Sequence, residues 1–121
     1  MRRTNIILIT SILSWSLLFA QNENENLQRA KEFSWAGQYA HADSIFSELT
    51  AKNANDINVK MAKAFNFSWW GNFQKANELF KEIIKVEPKN IDAHIGLGNS
   101  YTFNQEYANA YYEFNKVLSI D

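Results

Sequence analysis

The side chains able to do chemistry are few in this chain, and their spacing argues against most of it. His41 and His94 stand 53 residues apart, and neither has a second histidine three or four positions away. A metal centre needs several ligands converging at about 2 Å, so no metal site is expected. His41, Asp43 and Ser44 are the residue types of a hydrolytic trio, but close neighbours along one helix point in different directions and do not converge on one atom. The paired carboxylates Glu78 and Glu82 sit among Lys75, Lys81 and Lys85 and read as a solvated charge pattern; Glu23 and Glu25 fall in the polar start of the mature segment. Cysteine is absent, which removes disulfides, thiolate metal ligands and cysteine nucleophiles. The four glycines are scattered and form no phosphate loop. No enzyme, cofactor or small-molecule substrate is expected. What remains is aromatic: nine Phe, five Tyr and four Trp, two of the last adjacent in "SWWGNF" at residues 68–73.

Something must position those rings, and 121 residues suffice for one domain with one continuous core. The first twenty residues stand apart from it. "MRRTN" is a short basic start, "IILITSILSWSLLF" an apolar run of 14, and "AQNENEN" turns abruptly polar. This is the layout of a secretory signal, and its apolar run is short of the roughly 20 residues that span a bilayer. Cleavage is expected between Ala20 and Gln21, although Leu18 departs from the small-x-small pattern; an uncleaved N-terminal anchor is the alternative. The expected location is therefore exported, periplasmic or outer-membrane associated. Without Arg2 and Arg3, ten of the twelve basic residues face thirteen acidic ones, a net charge of −3 with no basic stripe, so nucleic acid is not an expected partner.

A shift of 34 residues aligns the remainder with itself. "SWAGQYAHADSIF" (34–46) falls on "SWWGNFQKANELF" (68–80) and then on "TFNQEYANAYYEF" (102–114). Small residues recur at Ala30, Ala64 and Gly98 and at Ala42, Ala76 and Ala110; aromatic ones recur at Phe33, Phe67 and Tyr101 and at Phe46, Phe80 and Phe114. A fixed period of this length marks a helical solenoid. In the central copy the spacing predicts a first helix of about 14 residues, roughly 21 Å long, capped by Asn55 or Asp56 and closed by Gly71. A second helix is predicted from about Phe73 to Val86, stopped before Pro88. The third copy begins again at Asn90. Gly37 stands at the equivalent corner of the first copy, whereas Gln105 stands there in the third and is expected to turn less sharply. Ala64 and Ala76 are expected where paired helices cross, with Phe67 and Phe80 beside them.

These positions resemble the tetratricopeptide repeat. The central copy carries the pattern as Ala64, Phe67, Gly71, Ala76, Phe80 and Pro88; the third as Leu97, Gly98, Tyr101, Ala110 and Phe114; the first as Ala30, Phe33, Gly37, Ala42 and Phe46. Departures are His94, where a large apolar residue is usual, Ala54 for the first Pro, and Val117 for a small residue. The resemblance implies an all-α, right-handed superhelical solenoid of three helix-turn-helix repeats, about 23–56, 57–90 and 91–121, filling a domain at 21–121 after the signal. It also implies that first helices line a concave groove that binds a peptide or protein partner.

Carried over by position, the groove-facing residues are Asn24, Leu27, Lys31, Ser34 and Trp35, then Asn58, Met61, Phe65, Ser68 and Trp69, then Asp92, Ile95, Asn99, Thr102 and Phe103. They include an aliphatic row of Leu27, Met61 and Ile95 and an aromatic row of Trp35, Trp69 and Phe103; the nine expected to bind are these two rows with Lys31, Phe65 and Asn99. Some family members clamp a partner's terminal carboxylate with Lys, Arg and Asn, but the matching places here are Leu27, Lys31, Ala62, Asp92 and Gly96, of which Lys31 alone fits. A mainly apolar groove suits a segment docking by hydrophobic side chains. Trp35 and Trp69 could instead pack against a neighbouring repeat. Adjacent helical residues point about 100° apart, so Trp69 and Trp70 must face different ways, one towards the groove and the other over the inter-repeat seam. Val117, Leu118 and Ile120 are expected to leave an apolar edge, met either by a longer polypeptide or by another subunit. The function expected is a non-catalytic protein- or peptide-binding scaffold of the bacterial envelope; the alternative is a module of a larger envelope protein, such as an outer-membrane β-barrel protein, without a ligand of its own.

Overall fold

Helix after helix follows the 34-residue period in the computed structural model, which describes the backbone of residues 2–120 and the side chains of residues 13–120. The basic start of the expected signal and the first part of its apolar run, with Asp121, lie outside the described side chains. Among the described residues six helices run in chain order: α1 (Arg2–Trp35), α2 (Tyr39–Lys52), α3 (Ile57–Trp70), α4 (Phe73–Val86), α5 (Ile91–Phe103) and α6 (Tyr107–Ser119). They pair as α1/α2, α3/α4 and α5/α6, each pair also packing on the next. Among the described residues there is no strand, and no helix is long and apolar enough to cross a membrane.

Local signals set the helix limits. Asp56 caps α3, its Oδ1 accepting from the amides of Asn58 at 2.9 Å and Val59 at 3.3 Å; Asn72 caps α4 through the Lys75 amide, and Asn90 caps α5 through the Ala93 amide. Each such bond satisfies a donor that the first turn leaves free. The three corners are closed alike. Amides of Gln38, Asn72 and Glu106 donate to the carbonyls of Phe33, Phe67 and Tyr101, each at 2.8 Å, the long-range bond of the Schellman motif. That motif requires a left-handed residue, and Gly37 and Gly71 supply it at φ 76° and 84°. The expected looser third corner does not occur: Gln105 takes φ 63° and the same bonds. Packing of α6 on α5 therefore fixes the turn, and Gln105 carries the steric cost that glycine avoids.

The core repeats as the sequence does. Ala30, Ala42, Ala64 and Ala76 are fully buried at the crossings, with Phe46 and Phe80 equally inaccessible beside them. A Cβ built on Gly96 would fall 2.5 Å from Cζ of Phe80, so α5 approaches α4 too closely to leave room for a methyl group. Phe65 stands edge-on to the same ring, centroids 5.1 Å apart. Of the expected apolar edge, Leu118 is exposed while Val117 and Ile120 are half-buried; Tyr107 and Tyr111 are exposed along the same helix. His94 is buried, where its Nε2 donates to the Pro88 carbonyl at 2.8 Å and its Nδ1 is hydrogen-bonded to Oε2 of Glu113 at 2.7 Å. That pairing accounts for a polar residue at an apolar position of the repeat. Asn66, in the sequon Asn66-Phe67-Ser68, is also buried, its amide donating to the Tyr39 carbonyl.

Candidate functional site

First helices carry the residues expected to line the groove, and the structure gathers five of the nine. Lys31, Trp35, Met61, Phe65 and Trp69 surround a cleft of about 230 Å³ between the first and second repeats, completed by Ser34, Phe46, Asn58 and Ala62. Leu27 lies farther along α1, half-buried against the core that holds Ala30, Phe46 and Val59. Ile95, Asn99 and Phe103 lie on α5 outside the cleft and are exposed. The nine positions are thus one five-residue cluster with four outliers.

The cleft opens at this seam because of one departure from the repeat. In the seam between repeats two and three, Phe65 covers the ring of Phe80. The residue 34 positions earlier is Lys31, whose flexible ammonium stem cannot fill that place above Phe46, and the space stays open. Phe46 therefore forms part of the lining beside Ala62, which stands at a clamp-equivalent position; Phe46 is not indicated by the groove positions, and the signal that could reveal it is the Lys31/Phe65 mismatch. Trp35 is 64% exposed and Trp69 42% exposed, so neither is a core residue. The Trp69 ring stacks on Phe65 at 5.7 Å, presenting a continuous aromatic wall.

Trp70 faces elsewhere. Its ring stacks on Tyr39 at 6.3 Å and lies nearly parallel to Phe67 at 6.1 Å, across the seam between α2 and α3. Trp69 is the groove residue of the pair and Trp70 a brace between repeats.

The polar complement of the cleft is small. Lys31 is half-buried and forms no ion pair among the described residues. The Ser34 hydroxyl has no hydrogen-bond partner in a residue only 3% exposed. A buried hydroxyl without a partner costs on the order of 1–3 kcal/mol, a cost carried within the wall of the cleft, since the oxygen itself is closed to solvent. Among the described residues, no three His, Cys, Asp or Glu side chains gather as metal ligands. The cleft can therefore hold a large apolar side chain and meet an adjacent acceptor or carboxylate.

Three helical hairpins with small residues at the crossings and Schellman corners define a tetratricopeptide-repeat fold. The chain is similar to the second tetratricopeptide domain of Spaghetti (RPAP3), solved bound to the HSP90 peptide SRMEEVD, with a TM-score of 0.70 and 18% identity over 84% of this chain and 96% of that one. No family model matches the sequence, and no curated protein does.

Proposed function

We propose that this chain is a non-catalytic scaffold of the bacterial cell envelope that binds a peptide segment in the cleft between its first two repeats. The observation that carries the reading is the cleft itself: two exposed tryptophans flank a hollow that contains an unpaired lysine and an unpartnered buried hydroxyl. The occupant that fits is a segment presenting a large apolar side chain next to an acidic or carbonyl group, apolar contact supplying affinity and Lys31 fixing register. A peptide complex in a neighbour of the same fold supports a peptide as the ligand class. The highly acidic SRMEEVD sequence would meet a single cation here, so weak or no binding of that peptide is expected.

Export is supported by the basic and apolar start of the sequence and by the exposure of Leu13, Trp15, Leu17, Leu18 and Phe19, which leaves that part of α1 unused by the repeat core. Periplasmic or outer-membrane association follows from this reading. Fusing residues 1–30 to a reporter active only outside the cytoplasm tests it; a silent reporter rejects export.

For the groove, a random-peptide display library is panned against the full chain and against Trp35→Ala/Trp69→Ala. Enrichment of aromatic or aliphatic peptides that the double variant fails to hold is expected. Equal capture by both proteins would reject the cleft as the binding site.

A further inference from the structure

One exposed ring stands at the end of each first helix. Trp35, Trp69 and Phe103 recur at the 34-residue period and are 64%, 42% and 57% exposed, and α1 touches α3 as α3 touches α5. Packed helix axes lie about 8–10 Å apart, so equivalent positions form a row of rings at that interval. A chain in contact with every ring must repeat at the same distance. Polyproline II does, since three residues per turn at about 3.1 Å each return the same edge after about 9.3 Å. A β-strand returns one face after about 6.7 Å, and an α-helix after about 5.4 Å, or about 10.8 Å for two turns.

Charge and hydrogen-bonding polarity point the same way. The cleft beside the row is lined by no carboxylate, and its one charged side chain, Lys31, has no ion pair among the described residues. Lysine and the indoles of Trp35 and Trp69 donate hydrogen bonds and accept none. A proline-rich segment is their complement: each proline lacks the N–H and keeps its carbonyl, and polyproline II makes no internal hydrogen bonds, so the carbonyls are free to accept. An extended segment of ordinary residues would bring N–H groups as well, for which the lining side chains offer little beyond the Asn58 carbonyl.

We propose that the peptide bound at this face is proline-rich and in the polyproline II conformation, its prolines at i, i+3 and i+6 stacking on Trp35, Trp69 and Phe103. This rests on the peptide-binding reading of the cleft and names the ligand class. Lys31 and Phe65 stand four residues before Trp35 and Trp69, so the cleft lies one helical turn to the side of the row, where the adjacent edge of a three-sided polyproline helix passes. A large apolar side chain between the prolines on Trp35 and Trp69 enters it above Phe46, and Lys31 meets the neighbouring carbonyl. The outer prolines are six residues apart, a span of about 19 Å. Because that conformation is preformed, binding orders little new chain.

The test uses the full chain and two fluorescein-labelled nonapeptides, one of three Pro-Leu-Pro triplets and one of three Ala-Leu-Ala triplets, followed by anisotropy. The proline peptide is expected to bind about tenfold or more tighter than the alanine peptide and to be released by Trp35→Ala/Trp69→Ala. Phe103 lies outside the cleft, so Phe103→Ala separates the row from the cleft: it should weaken the proline peptide roughly three- to tenfold with unchanged helical circular dichroism, while Phe103→Tyr, which keeps a ring, should retain the affinity. Equal affinity for the two peptides, a proline peptide indifferent to Phe103→Ala, or no binding of it at about millimolar concentration overturns the proposal. Each failure is separable from failure of the cleft. Library peptides without proline that the chain holds and the double tryptophan variant does not would leave peptide binding standing and sink the proline-rich ligand, whereas capture of no peptide sinks both.

Discussion

Two glycines of α5 offer a controlled comparison of packing with backbone propensity. Gly96 and Gly98 each sit where an added methyl would strike a phenylalanine ring, at 2.5 Å from Cζ of Phe80 and 2.5 Å from Cε1 of Phe114. Either change to alanine gains about 1 kcal/mol of helix propensity. The rings differ in freedom. Phe80 is fully buried between Ala64, Phe65 and α5, so Gly96→Ala must force it or α5 aside, at a cost of about 1–3 kcal/mol. Phe114 is 36% exposed and can swing outward; Ala64 with Phe80 at the equivalent pair shows that a methyl is accommodated. The expected outcome is a net loss of up to about 2 kcal/mol for Gly96→Ala, or a midpoint lower by roughly 4–12 °C in a domain of this size, and a neutral or stabilising effect for Gly98→Ala. Thermal and urea unfolding followed by circular dichroism measure both. Adding Phe80→Leu to Gly96→Ala should recover part of the loss relative to additivity. Equal effects of the two glycine changes, or a stabilised Gly96→Ala, would refute the close approach of α5 to α4.

Three further outcomes are expected. Trp70→Ala should cost about 1–2 kcal/mol by removing the stack with Tyr39 and Phe67 while leaving peptide capture intact, whereas Trp69→Ala should lower capture more than stability; unfolding midpoints and capture assays separate the two. Gly71→Ala meets no atom within 4 Å and should lose about 1 kcal/mol through its positive φ alone, while Gln105→Gly should be neutral or stabilising by up to about 1 kcal/mol; urea midpoints decide. Glu113→Ala strands Nδ1 of buried His94 and should cost on the order of 1–3 kcal/mol, and replacing both members, as His94→Leu/Glu113→Leu, should recover much of it, read by the same unfolding curves.

The limits of α3, α4 and α5 were legible because each is set by neighbours in sequence, whereas α1 runs unbroken from Arg2 through the expected cleavage point to Trp35 and shows no start near residue 23. Asp56, Gly71, Asn72 and Asn90 act on amides and carbonyls within a few positions, and the 34-residue shift places their counterparts. Gln105 shows where that reading stops: its left-handed turn is imposed by the docking of α6 on α5, and its residue type argues the other way. The direction of Trp70 was equally hidden, since the ring it needs, Tyr39, is supplied by another repeat. His94 and Glu113 lie 19 residues apart on different helices, and no local pattern joins them. For the groove, the columns identified five residues that meet at one cleft, but its confinement to one seam depends on Lys31 failing to fill the space that Phe65 fills in the next.

The four tryptophans provide the most direct test of peptide binding in that cleft, because Trp15, Trp35, Trp69 and Trp70 each give one indole N–H signal. A peptide selected on the full chain is titrated into ¹⁵N-labelled protein, the four signals being assigned by single substitution. Trp35 and Trp69 are expected to shift with a common Kd while Trp15 and Trp70 stay in place. Shifts confined to Trp70 or Trp15, or none at saturating peptide, would contradict the account.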